Sequence, residues 1–188
     1  MPLPLLVKPI DRLSDSNLPG LLARMDGRIK GADLGPGMSV LDVGCGPGHL
    51  FRATLDAIGD SGSLTALESR PRYIDAARSH CQEHSIPFLD ADSSNTELAP
   101  QSFDRVLLHR VFHDLLDRSG TVREIHRLLK PGGKLWLWEP RVKVRGWQIQ
   151  AYEGMFRGAR LDKEWETNTA LGYCRRYVAS EGLPGSRL

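Results

Sequence analysis

The stretch Val40–Leu50, Val-Leu-Asp-Val-Gly-Cys-Gly-Pro-Gly-His-Leu, has the residue types and spacing to hold a ligand. Four residues suited to a buried strand run into glycines at 44, 46 and 48, with a helix predicted to start at about Pro47. A strand ending in such a loop offers backbone N–H groups to a small anionic or polar ligand group. Asp42 lies inside the strand, just before the first glycine. A carboxylate at that position opposes a phosphate as the ligand. The spacing agrees, because G-x-G-x-G is one residue shorter than the dinucleotide fingerprint G-x-G-x-x-G.

Further polar residues follow later apolar segments. Glu68 comes 24 residues after Gly44, with Ser69 beside it. An acid about 20 residues beyond a glycine loop commonly accepts from ribose hydroxyls, and a carboxylate can take both hydroxyls of a cis-diol. Asp90-Ala91-Asp92-Ser93 follows a third apolar stretch, where an Asx-turn is the competing reading of Asp92. His109 and His113 are four apart, but no third ligand is placed to complete a metal site, so no metal is expected. His113 is a candidate general base, with packing beside a bound ligand as the alternative.

The elements that would position these residues alternate. Strands are predicted at 38–43, 63–67, 86–89, 103–108 and 134–138. Helices are predicted at about 18–30 (Leu18, Leu21, Leu22, Met25 and Ile29 on one face), 47–58, from Pro71, and around Val122, Ile125 and Leu128. Thr121 and Glu124 are suited to a capping box, and Lys130-Pro131-Gly132-Gly133 stops that last helix. Such alternation implies right-handed crossovers and a mostly parallel sheet, with the ligand at the carboxyl ends of the strands. Every polar residue singled out above falls at such an end.

The run Asp42–Gly48 resembles motif I of the class I S-adenosylmethionine-dependent methyltransferases, a hydrophobic run followed by D-x-G-C-G-x-G. Ala91-Asp92-Ser93 resembles that family's G-D-A, Ser102–His109 its F-D-x-V strand, and Arg127–Leu135 its K-P-G-G turn. The resemblance covers about residues 38–140 and is of the small-molecule type, like methyltransferase domains 11 and 25. It implies an α/β Rossmann-like, doubly wound sheet with helices on both faces, and S-adenosyl-L-methionine as cofactor, leaving S-adenosyl-L-homocysteine. It also implies a cofactor set of Asp42, Gly44, Cys45, Gly46, Gly48, Glu68, Ser69, Asp92, Ser93 and His109. Within that set Glu68 would hold the ribose, Asp92 and the Ser93 backbone the adenine, and the His109 carbonyl the amino group of the methionine part.

Methyl transfer from a sulfonium is an in-line displacement, so most of the catalysis can come from holding the nucleophile in line. A base is needed only for a nucleophile that arrives protonated. Relatives that methylate exocyclic amino groups, cytosine carbon or catechols carry residues that are missing here, which points to an unidentified small-molecule acceptor. Leu21, Leu22 and Met25, with Trp147, Tyr152, Phe156 and Trp165, are expected either to build its pocket or to be ordinary core. Arg141, Lys143 and Arg145 would share one side of an extended segment, read as a solvated edge.

A length of 188 residues suggests one domain: an arm and helix at 1–37, a cofactor-binding core at 38–140 and a substrate or lid segment at 141–188. A net charge of +2 gives no strong overall field for nucleic acid, although residues 141–188 hold nine Lys/Arg against five Asp/Glu. Three separated cysteines fit a reducing cytoplasm. No apolar run approaches the ~18 residues of a membrane span, and neither a signal peptide nor a membrane partner is expected. A monomer or homodimer is expected.

Past Pro140 no two good strand runs are evident, and 162–181 reads as a helix. The expectation is therefore either a sheet with one or two fewer than the family's seven strands or a chain cut short. RNA or protein methylation, non-catalytic binding of S-adenosylmethionine, and a nicotinamide dehydrogenase stand as alternatives.

Overall fold

The computed structural model describes residues 29–80 and 85–180. The predicted arm, most of the 18–30 helix, Cys81 and the chain end at 181–188 lie outside the described residues.

Seven strands form one sheet in the order β3-β2-β1-β4-β5-β7-β6. They are β1 Ser39–Val43, β2 Ser63–Leu67, β3 Phe88–Leu89, β4 Phe103–His109, β5 Leu129–Pro140, β6 Leu161–Asn168 and β7 Gly172–Ala179. The first five run parallel, with Asp42 of β1 between Ala66 of β2 and Leu107 of β4. The apolar runs of the central strands β1, β4 and β5 reflect burial on both faces. Alternate side chains feed two cores. On one face Val40, Leu107 and Trp136 meet Phe51 and Ile58 of α1 (Phe51–Ile58) and Ala77 of α2 (Pro71–His80). On the other, Leu41, Val106 and Leu137 meet Ile125 of α3 (Arg118–Leu128) and Tyr152 and Phe156 of α4 (Gly146–Gly158).

The sheet is complete, contrary to the expectation of missing strands. The described part of the expected 162–181 helix, residues 162–180, is not helical: β6 and β7 make a hairpin, and β7 pairs antiparallel with β5 from Lys134↔Val178 to Pro140↔Gly172. The helical spacing of Trp165 and Tyr173 arose across a turn between two strands. β7 hides its strand pattern because two arginines lie within it. Arg175, only 5% exposed, is held by Glu153 at 2.9 Å and Glu166 at 3.3 Å, and Arg176 by Glu164 at 3.1 Å.

Two local expectations also change. α1 starts at Phe51, after a turn through Pro47–Leu50, so it does not follow the glycines directly. α3 is capped by Asp117, whose side chain accepts from Gly120 N–H at 2.8 Å. Thr121 and Glu124 instead tie α3 to the segment before β4: Thr121 Oγ1 bonds Ser93 Oγ at 2.8 Å, and Glu124 Oε1 accepts from Thr96 N–H and hydroxyl at 3.0 and 2.6 Å. Arg127, with Thr96's help, holds the Glu124 carboxyl low, at about 2.

Candidate active site

A cavity of about 490 Å³ opens at the carboxyl ends of β1 and β2, walled by the loops after β3 and β4. Its lining includes Gly44, Glu68, Ser69, Asp92 and Ser93 from the sequence-derived set. Asp42, Cys45, Gly46, Gly48 and His109 do not line it. The volume lies within the usual range for small-molecule sites.

The glycine loop is built differently from an anion-binding loop. Gly44 and Cys45 N–H groups donate to the Leu67 carbonyl at 2.7 and 3.1 Å, Gly46 N–H to Glu68 Oε2 at 3.1 Å, and Gly48 N–H to the Cys45 carbonyl at 3.1 Å. The loop amides expected to stand bare are therefore taken. Gly44 has φ +67°, and a Cβ there would lie 2.3 Å from Val111 Cγ2, so only glycine lets the loop after β4 approach.

Behind the loop, Asp42 is 2% exposed and its Oδ1 has no hydrogen-bond partner among the described residues. Burial, with the charge of Glu68 second, pushes its carboxyl up to about 7. Burial likewise raises the Cys45 thiol, assisted by Asp42 and Glu68, so Cys45 is inert packing.

Glu68 is also 2% exposed. Its Oε1 accepts from the N–H groups of Ser69 at 3.1 Å and Arg70 at 3.0 Å and from Arg70 Nε at 3.0 Å. Arg70 was not foreseen as part of the site; an arginine two residues beyond a strand-end acid was the available signal. Asp92 forms the Asx-turn that competed with its cofactor role, its Oδ1 accepting from Ser94 N–H and hydroxyl at 2.8 Å, and these bonds hold its carboxyl low.

Away from the cavity lining, the His109 ring lies against Trp136 and Trp138, with centroids 6.0 and 5.2 Å away. Val111, Leu115 and Leu116 supply apolar lining. His113 stands between two acids: Nδ1 is 2.5 Å from Glu139 Oε2, and Nε2 is 3.4 Å from Asp114 Oδ1. Glu139 is fully buried, and its other oxygen accepts from Phe112 N–H at 2.8 Å. Neither His113 nor Glu139 lines the cavity, whereas Asp114 does.

The four aromatic residues, expected as acceptor pocket or as ordinary core, do not line the cavity. Tyr152 and Phe156 pack on Phe112 at 4.8 and 5.0 Å within the core, Trp147 is 69% exposed, and Trp165 lies under Arg176. Leu21, Leu22 and Met25 lie outside the described residues. Arg141–Lys143 is a turn, so the expected extended basic segment is absent. Among the described residues no three His, Cys, Asp or Glu side chains converge as metal ligands, and no helix is long and apolar enough to cross a membrane.

Residues 41–137, just over half of the chain, match the family model described as a methyltransferase domain. The chain belongs to that methyltransferase family. S-adenosyl-L-methionine is the cofactor that membership implies. The chain is similar to a ubiquinone biosynthesis O-methyltransferase of Xanthomonas oryzae pv. oryzae, 35% identical over 133 residues, covering 69% of this chain and 51% of the relative. It is also similar to a malonyl-[acyl-carrier protein] O-methyltransferase of Acetivibrio thermocellus, 35% identical over 98 residues, covering 52% of this chain and 34% of the relative. The methyltransferase domain thus spans about half the first relative's length and a third of the second's. The solved structure of a SAM-dependent methyltransferase from Aquifex aeolicus shares the fold, with a TM-score of 0.77 at 18% identity over 90% of this chain and 96% of that one.

The site's residues fit such a cofactor. The buried orphan oxygen of Asp42 favours a cationic ligand, and Glu68 presents carboxylate oxygens at the cavity wall.

Proposed function

We propose that this protein transfers a methyl group from S-adenosyl-L-methionine to a small-molecule acceptor in the cavity at the carboxyl ends of β1 and β2. The observation that carries this reading is the convergence of the Gly44 turn, Glu68 and the Asp92–Ser93 turn on one cavity. S-adenosyl-L-methionine, when bound, supplies an electrophilic methyl on a sulfonium.

In this reading Glu68 accepts from the ribose hydroxyls, with Ser69 beside it. Asp92 offers the adenine amino group its Oδ2, since Oδ1 is committed to Ser94. Gly44, Gly46 and Gly48 allow close backbone approach, and Asp42 supplies a negative field beneath the donor. Cys45 packs the loop, and the His109 carbonyl closes the methionine end. Val111, Leu115 and Leu116 favour an acceptor with an apolar body. His113, fixed at Nδ1 by Glu139, is the candidate base for a protonated nucleophile.

Residues 38–140 then act as the cofactor core of a single domain spanning 1–188, with β6 and β7 completing the sheet. Buried free thiols at Cys45 and Cys174 support a reducing cytoplasm. A monomer or homodimer, acting on small molecules in preference to nucleic acid, suits the modest net charge of +2.

The test is calorimetric titration of S-adenosyl-L-homocysteine into the wild type and Glu68→Ala, with NADH in parallel. A loss of about 1–3 kcal/mol in the variant is expected, the range for an unpaired polar contact. NADH binding in place of S-adenosyl-L-homocysteine would sink the reading.

A further inference from the structure

Three exposed apolar side chains share one corner at the cavity end of the sheet. Val142 is 90% exposed, Trp147 69% and Leu171 58%. The backbone brings them together: Pro140 of β5 pairs with Gly172 of β7, and Arg141 N–H donates to the Leu171 carbonyl at 3.0 Å. Lys143 and Val144 N–H groups close the following turn on the Pro140 carbonyl, each at 3.0 Å. α4 then starts at Gly146, where a Cβ would lie 3.6 Å from the Tyr173 hydroxyl, so Trp147 in its first turn belongs to the same corner. Leu116, fully exposed, stands on the cavity rim.

Exposed cations interleave with these tips. Arg141, Lys143 and Arg145 are exposed, and segments 140–150 and 169–172 contain no acid. Exposed Arg110 sits beside the end of β5, its N–H on the Trp138 carbonyl at 2.9 Å. A lone exposed hydrophobe needs no explanation, but three on one corner of a structured rim do. Aliphatic tips and a tryptophan set among cations match the chemistry of an anionic lipid interface, where apolar groups enter the acyl boundary and cations meet phosphates. Single-stranded RNA would draw on aromatic stacking platforms, and Val142 and Leu171 offer none.

We propose that this corner docks the protein on an anionic lipid surface, with the cavity end of the sheet turned toward the lipid. Residues 141–145 turn back to meet Leu171 and so do not form the solvated edge expected of them. The inference rests on the surface and not on the methyl-transfer reading, which a separate titration of S-adenosyl-L-homocysteine tests.

The experiment is co-sedimentation of the full chain with phosphatidylcholine vesicles carrying about one third phosphatidylglycerol, beside vesicles of phosphatidylcholine alone. At least about tenfold tighter binding to the anionic vesicles is expected, weakened by salt, with a blue shift in emission that Trp147→Phe removes. Lys143→Glu/Arg145→Glu and Val142→Ser/Leu171→Ser should each lower binding about tenfold while leaving S-adenosyl-L-homocysteine affinity and thermal stability unchanged. Equal binding to both vesicle types, no binding, or unchanged binding by the Val142/Leu171 variant would overturn the proposal. So would tight binding of a single-stranded RNA that only the charge reversals weaken, which would mark a nucleic-acid surface.

Discussion

Arg70 holds Glu68 from two directions, its backbone N–H and its Nε each reaching Oε1 at 3.0 Å. A ribose diol that takes both oxygens of Glu68 must displace the Arg70 side chain, while the backbone donors of Ser69, Arg70 and Gly46 can stay. Arg70 is 49% exposed, so its ion pair is worth at most about 1 kcal/mol after screening. Arg70→Ala should therefore tighten S-adenosyl-L-homocysteine binding by up to about fivefold. Weaker binding in the calorimeter would mean that Arg70 contacts the ligand directly.

Asp42 sets a pH dependence. Its folded-state carboxyl, at about 7, lies above the ordinary 3.8. Between those values the folded protein keeps a proton that the unfolded chain has released. The resulting stability is fully present below the ordinary value and is lost as pH rises toward about 7, an upper bound of about 4 kcal/mol. Denaturant unfolding at several pH values should show this slope in the wild type and a flatter one in Asp42→Asn.

The same group should report on the ligand's charge. A cation above Asp42 favours the carboxylate. Binding of S-adenosyl-L-methionine at mildly acidic pH should then release up to one proton, and Asp42→Asn should release fewer. Calorimetry in two buffers of different ionisation enthalpy reads that number; equal release by both proteins would remove Asp42 from the ligand's field.

Gly44→Ala combines an unfavourable φ with contact against Val111, and a loss of roughly 2–4 kcal/mol is expected. Adding Val111→Ala should recover the steric part and leave the backbone part. Full additivity of the two substitutions in urea unfolding would argue against the contact.

Glu139 anchors the loop after β4 through Phe112 N–H and His113. Glu139→Ala leaves the buried Phe112 N–H unpaired and frees the His113 ring, and the unpaired donor should cost roughly 1–3 kcal/mol. His113→Gln should lower turnover on a protonated acceptor with little change in S-adenosyl-L-homocysteine affinity. Parallel losses in both would recast His113 as packing.

The first five strands were legible as short apolar runs, four of them ended by Gly, Pro or an acid, and in β1, β4 and β5 that run reflects burial on both faces. β6 was not, because it is an edge strand: Asp162, Lys163, Glu164 and Glu166 leave only Leu161 buried. β7 hides Arg175 behind Glu153 and Glu166, an interior of ion pairs that no hydropathy pattern reports. α4 went unseen because Gly154 and Gly158 interrupt it and its buried residues are Ile149, Tyr152 and Phe156 alone. Among the candidate residues, Asp42 announced itself by lying in a strand just before the glycines, Glu68 by following a strand directly, and Asp92 by coming soon after a third apolar run. The dependence of Gly44 on Val111, and of His113 on Glu139, joins distant stretches and becomes visible only once β4 and β5 lie side by side.

The pairing of β5 with β7 also bears on how the chain is made. Lys134–Trp138 lies in mid-sheet, yet its second neighbour is 172–179, synthesised after α4 and β6. Until that hairpin leaves the ribosome, Leu135–Trp138 presents an apolar raw edge with its backbone groups open on one side. Folding must wait for the final strands, and a stalled or clipped chain would be the aggregating species, whatever the stability of the finished protein.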